Sequence, residues 1–144
     1  MDKPKRKVSL FFPIKIKDNA LYVFLQKRSA DMENLPNYFG PWGGGADENE
    51  TSKQTLIREI KEELNIDLDI KTVEYFNHYE FLGAIQDVYI FKAPEDWEKD
   101  LVISEGDYGQ WLSSEEVFKR DDIIFQDKVI INDLERRLLN KKIK

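Results

Sequence analysis

The chain contains no cysteine and a single histidine. Without thiols there can be no disulfide, no thiolate nucleophile and no cysteine-based zinc site, so any metal must be held mainly by oxygen. The histidine, His78, stands between Asn77 and Tyr79 on an expected strand, where a packed or surface role fits better than a catalytic one. Long apolar runs are missing as well, which excludes a membrane-spanning helix of the usual ~18 or more apolar residues. The basic start and the apolar run at residues 8–12 have the outline of a signal peptide. Pro13, Lys15 and Lys17 break that run early, and no small-residue cleavage site follows. A cytoplasmic location is the expectation from these absences. Positive charge is also scarce: 22 Lys and Arg face 28 Asp and Glu, for a net charge of −6. Binding a nucleic acid polymer rests on phosphate neutralisation by a basic surface, so such a polymer is not expected as the main partner. A small phosphorylated ligand remains compatible if cations accompany it.

What is present describes a folded protein. A chain of 144 residues suits one domain, expected over residues 1–144, and 41% hydrophobic with 12% aromatic residues is enough for a core. Residues 8–16 and 21–27 are rich in β-branched and aromatic side chains and are separated by Asp18 and Asn19, which reads as a hairpin with a tight polar turn. Residues 28–47 hold Pro36, Gly40, Pro41 and the triplet Gly43, Gly44, Gly45, and read as a long functional loop. Thr51 to Gln54 matches a capping box that starts a helix, and Asn65 ends it in the left-handed conformation. A second hairpin is expected over residues 71–82 and 85–93 around Gly83 and Ala84. A loop at 94–107, a short strand at 109–112 and a short helix at 114–118 follow. Residues 126–140 form an amphipathic helix with Val129, Ile130, Leu134, Leu138 and Leu139 on its apolar side. Strands interrupted by two substantial helices imply an α/β fold with a mixed sheet between helices.

The first long helix is unusually acidic. Glu59, Glu62 and Glu63 lie at i, i+3 and i+4 and share one face, while Leu56, Ile57, Ile60 and Leu64 share another, the two stripes being roughly 120° apart at about 100° per residue. Like charges so spaced cost about 0.2 to 0.5 kcal/mol per pair, and the helix dipole disfavours them in this half. A solvated acidic face balanced by Lys53, Arg58 and Lys61 is the plain reading of such a helix. The context argues for more. A glycine triplet precedes the helix, and Glu50 stands eight residues before Arg58, a spacing that lets the arginine reach back to an acid in the loop. Clustered carboxylates suit hard, oxygen-seeking cations such as Mg²⁺, and two such ions can clamp a pyrophosphate.

From Gly44 to Ile66 the order is Gly44, Glu50, then Arg58-Glu59-Ile60, Glu62-Glu63 and Asn65-Ile66. This resembles the Nudix box at every defining position but one, Asn65, where that family has glycine. Asparagine tolerates left-handed angles, so the helix end is expected to survive and Asn65→Gly to be nearly silent. The resemblance implies a Nudix-type α/β/α sandwich and Mg²⁺-dependent hydrolysis of a phosphoanhydride bond, with Mn²⁺ as a possible substitute. It implies Glu59, Glu62 and Glu63 as metal ligands, Arg58 and Glu50 as the ion pair holding loop to helix, and Gly44 and Gly45 as backbone close to the ligand. Residues 104–111 resemble the stretch of MutT-like members in which a Glu-Gly pair precedes Gly-x-Trp, and this makes Glu105 a further metal ligand or water-activating group, against a reading as an exposed loop acid. Which of Glu59, Glu63 and Glu105 is the general base stays open.

Substrate contacts are fewer. Arg28 resembles a basic residue that touches phosphates, with a solvated strand end as its alternative. Phe39 and Trp42 offer rings for stacking on a base, or else pack the loop. Gln126 resembles the amide side chain with which oxidised-guanine hydrolases read a purine edge. ADP-ribose hydrolases of the family often carry a proline beyond the box, whereas this chain has none between Trp42 and Pro94. An NTP, with 8-oxo-dGTP or dGTP first, is therefore the expected substrate, cleaved to NMP and pyrophosphate. A nucleotide-sugar or ADP-ribose pyrophosphatase is the alternative within enzymes, and a non-catalytic nucleotide-binding module the alternative outside them. The oligomeric state is left as monomer or homodimer.

Overall fold

The computed structural model describes residues 5–139. Its seven strands are β1 (Arg6–Lys17), β2 (Ala20–Lys27), β3 (Phe39–Gly40), β4 (Trp42–Gly45), β5 (Val73–Phe81), β6 (Ala84–Lys92) and β7 (Tyr108–Ser113). Its helices are α1 (Ser52–Leu64), α2 (Ser114–Lys119) and α3 (Phe125–Leu138). The strands belong to one hydrogen-bonded sheet of order β3-β2-β1-β6-β5, with β4 also on β1 and β7 also on β2. The α/β class and the mixed sheet with helices are as expected. Among the described residues no helix is long and apolar enough to cross a membrane.

The residues group into two compact units, and β1 runs through both. The first contains the chain up to Phe12 and Trp42–Glu105. Here β1 pairs antiparallel with β4, Ser9 opposite Gly44 and Phe11 opposite Trp42, and β5 pairs antiparallel with β6. The β5–β6 turn uses Leu82 and Gly83, both at positive φ, one residue earlier than the sequence suggests. Phe11 stacks on Phe91 at 5.7 Å between ring centres, and Phe91 meets Trp97 at 5.2 Å. Leu56, Ile60 and Leu64 are fully buried along α1. Ile57, expected on that apolar face, is instead 38% exposed. Thr55 and Glu63 are buried in its place, because the helix turns its Glu63 side toward β4.

The expected loop at 28–47 needs correcting at its glycine end, which is strand β4. The segment forms a strand by pairing with β1, and glycine fills it because side chains at Gly43 and Gly44 would collide with their neighbours. At Gly43, with φ +121°, a Cβ would stand 2.0 Å from the Ser9 carbonyl oxygen, and at Gly44 one would stand 2.6 Å from the Glu59 carboxyl. The triplet thus serves close approach of strand and helix rather than loop freedom.

The second unit contains Pro13–Pro41 and the chain from Gly106. The β1–β2 hairpin closes through Asp18 and Asn19, both at positive φ, as two-residue hairpin turns require. β2 pairs with β3 and β7, and Leu21, Val23, Leu25 and Leu112 are buried. The strand and short helix expected after residue 107 are β7 and α2, the latter closed by a capping box from Ser113 and Glu116. On α3 the buried stripe is Asp127, Ile130, Ile131 and Leu134. Val129, Leu138 and Leu139, expected on that stripe, are only half-buried, and the expected end at Asn140 lies outside the described residues.

Candidate active site

The site grows out of the two ends of α1, within the first unit. At the start, Thr51 caps the helix: its hydroxyl accepts from the Gln54 N–H at 3.1 Å, and Gln54 accepts from the Thr51 N–H at 2.9 Å. A second clamp comes from side chains the sequence reading did not single out. Ser9 on β1 donates to the Ser52 carbonyl at 2.8 Å, and the Ser52 hydroxyl meets that of Tyr89 on β6 at 2.7 Å. At the end, Asn65 takes φ 59° and ψ 34° and donates its backbone N–H to the Lys61 carbonyl, the left-handed closure expected of it.

Between the ends, Arg58 and Glu50 form the expected pair. Arg58 donates from Nε to Glu50 Oε2 at 2.8 Å and from Nη2 to Glu50 Oε1 at 2.9 Å, a bidentate fork. The same Nη2 donates to the Gly45 carbonyl at 2.9 Å, which ties the strand end to the helix. Glu50 also accepts from the Asp47 N–H and the Thr55 hydroxyl. The Arg58 hydrogen bonds, followed by the Asp47 N–H, hold the Glu50 carboxyl down at about 2, and Glu50 in turn raises Arg58.

The acidic side chains divide by environment. Glu63 is 2% exposed and accepts the Gly43 N–H, with contacts of 2.9 Å and 3.3 Å to its two oxygens. Burial pushes its carboxyl up to about 8 against the pull of that N–H, and the charges of Glu59 and Glu105 push further. Glu59 is raised too, chiefly by burial, with Arg58 opposing. Glu62 is exposed, and both it and Glu59 receive Arg58 Nη1, at 3.3 Å and 3.0 Å to their Oε1 atoms.

Two neighbouring carboxyls that burial holds toward the neutral form fit a divalent cation, whose charge favours their ionisation. Among the described residues, however, no three such side chains converge on one point. Glu59 and Glu62 are held at the Arg58 guanidinium, while Glu63 turns to the Gly43 N–H.

Glu105 is exposed on the segment after Ser104, near enough for its charge to act on Glu59 and Glu63. That segment is tied to α1 by the Ser104 N–H, which donates to the Glu63 carbonyl at 2.9 Å. The Asn65 amide binds it as well, reaching the Val102 carbonyl at 2.5 Å and the Ser104 hydroxyl at 2.7 Å. This side-chain role was not anticipated. The signal for it was available, since Asn65 is the one departure from the Nudix box.

The remaining candidates belong to the second unit, apart from Trp42. Trp42 is fully buried and offers no face to a base, which corrects the stacking expectation there. Phe39 is 3% exposed, with the Arg120 guanidinium 4.8 Å over its ring and Tyr108 edge-on at 6.2 Å, so its ring packs the loop and the stacking expectation is corrected there too. Arg28 lies beyond the end of β2 and donates from Nε to the Asn34 carbonyl at 3.0 Å, inside its own loop. Gln126 is half-buried in the first turn of α3. Its neighbour Asp127 is 5% exposed, beside Gly40, and burial alone pushes its carboxyl up to about 7. The helical stripe that runs from Asp127 through Ile130, Ile131 and Leu134 would have marked it as an inward position.

Comparison with known proteins agrees with this reading of the fold. An uncharacterised Nudix hydrolase of Listeria innocua is 35% identical over 68 residues, covering 46% of this chain and 40% of that one. A MutT/nudix family protein from Enterococcus faecalis superposes with a TM-score of 0.77 at 16% identity over 98% of this chain, which spans 64% of that protein. The NUDIX domain of Shewanella oneidensis NrtR, solved with ADP ribose, gives 0.73 at 18% identity over 95% of this chain and 90% of that one. The NUDIX domain model matches residues 5–134, nearly the whole chain, and the protein therefore belongs to the NUDIX domain family.

Proposed function

We propose that this protein is a divalent-cation-dependent hydrolase of the phosphoanhydride bond in a nucleoside diphosphate derivative or NTP. The observation that carries the reading is the pair Glu59 and Glu63, one half-buried and one buried, set one turn apart on α1 against the bare strand β4, Glu59 at Gly44 and Glu63 on the Gly43 N–H. Glu59, Glu62, Glu63 and Glu105 would hold Mg²⁺, or Mn²⁺ in its place. A cation bound there supplies charge neutralisation at the phosphoryl oxygens and acidifies a water.

The chain's own groups do the rest. Arg58 fixes Glu50 and the Gly45 carbonyl, so that β4 and the acidic face of α1 keep one spacing. Gly44, having no Cβ, leaves room for the Glu59 carboxyl against the strand. One of Glu59, Glu63 and Glu105 takes the proton of the attacking water as the oxygen–phosphorus bond forms and the bridging bond breaks. Arg28 is proposed as a phosphate contact, Gln126 as a base contact, and 8-oxo-dGTP or dGTP as the first substrates to test, giving NMP and pyrophosphate. ADP-ribose is the second reading, favoured by the ligand of the similar Shewanella domain.

The deciding experiment measures turnover of 8-oxo-dGTP, dGTP, ADP-ribose and a GDP-sugar with and without Mg²⁺, identifying both products. Metal-dependent release of NMP and pyrophosphate from a triphosphate supports the first reading. Cleavage of ADP-ribose or the sugar nucleotide alone overturns it in favour of the second. Tight binding of one of them with no cleavage makes the protein a sensor instead.

A further inference from the structure

We propose that Asn65 is a positioning residue, whose side-chain amide clamps residues 102–104 to the end of α1 and thereby places Glu105 beside the acidic face. The proposal rests on the reading of Glu105 as part of the active site.

Ending the helix does not require this side chain. The closing bond is the backbone N–H of Asn65 to the Lys61 carbonyl, and a glycine takes the left-handed angles of residue 65 at less cost. The amide does something glycine cannot. Its nitrogen donates to two acceptors on one segment, the Val102 carbonyl at 2.5 Å and the Ser104 hydroxyl at 2.7 Å. Ser104 in turn donates its N–H to the Glu63 carbonyl at 2.9 Å, so the segment is bound to the same turn of helix that carries Glu62 and Glu63. Residues 101–107 lie in neither helix nor strand, and these contacts supply order that regular structure does not. Glu105 is the next residue along, exposed, with its charge directed against acidic neighbours that repel it. The bonds at 65, 102 and 104 fix the backbone on the side that leads into Glu105.

The test compares Asn65→Gly, which keeps the helix end, with Ser104→Ala, which removes one acceptor far from the cap. Amide exchange is read first, on the metal-free protein. In Asn65→Gly the Ser104 amide should exchange about tenfold faster, the loss expected for a hydrogen-bonded clamp, while the amides of residues 60–64 keep their rates. Turnover with Mg²⁺ is read second. kcat should fall about tenfold with KM little changed, Ser104→Ala should lose a few-fold, and Asn65→Gly should cost nothing more in a Glu105→Gln background. Unchanged exchange at Ser104 overturns the clamp. Losses that multiply in the Glu105→Gln background, or a Glu105→Gln protein with full turnover, overturn the positioning of Glu105. If the unaltered protein turns over nothing, the proposed function falls, and the exchange comparison still decides the clamp.

Discussion

At Asp127, burial alone lifts a carboxyl from its ordinary 3.8 to about 7. The folded-state value is raised, so the folded protein retains a proton that the unfolded chain has already released. Stability from this residue is complete below pH 3.8 and declines as pH rises toward 7, by at most roughly 4 kcal/mol. Asp127→Asn removes that slope: urea unfolding at pH 5 and pH 8 should show the variant gaining on the wild type at the higher pH. An equal pH dependence in both proteins would contradict the assignment. Glu63 behaves differently because it has a partner. In Glu63→Gln the amide oxygen still accepts the Gly43 N–H, so the metal-free Tm should hold or rise slightly while turnover drops by orders of magnitude, on the order of a hundredfold or more. Near-normal turnover would refute Glu63 as a metal ligand. Of these groups, the acidic stripe of α1 was legible in sequence because helix periodicity sets it. The burial of Asp127 and Glu63 was not, because it depends on which elements pack over each residue.

The strand–helix pair β4 and α1 gives the sharpest contrast between neighbouring glycines. A methyl group at Gly43 meets the backbone of Ser9, which cannot swing away, and φ +121° is strained for alanine. Gly43→Ala should therefore destabilise the fold by more than about 2 kcal/mol in thermal or urea unfolding. At Gly44 the obstacle is the far end of the Glu59 side chain, which can move. Gly44→Ala should leave stability within about 1 kcal/mol and depress turnover by displacing Glu59. Equal loss of stability in the two variants would show that β4 is held by something other than its fit against β1. The capping box of Thr51 and Gln54 was readable because cap chemistry is local. The glycine triplet was misread as loop because glycine carries no side-chain pattern, and its strand pairing is decided by β1, some thirty residues away in sequence.

For the molecule as a whole, clustered carboxyls in a chain of net charge −6 predict that Mg²⁺ stabilises the folded state. A ligand at a hundred times its dissociation constant adds about 2.7 kcal/mol. Tm should rise with Mg²⁺ in the unaltered protein and not in Glu63→Gln; an equal rise in both would place the cation elsewhere. The order of the box residues, the β1–β2 hairpin and the ends of α1 were determined by sequence alone, because turns, caps and periodicity depend on residues within a few positions of each other. Tertiary structure decided the rest. It made Gly43, Gly44 and Gly45 a strand rather than a loop, with Trp42 buried at its start, and turned Glu63 inward onto Gly43. It also gave the Asn65 amide a task on a segment nearly forty residues further along. Those outcomes rest on contacts between residues distant in the chain, where a side chain's role is set by what packs against it and no local pattern records the partner.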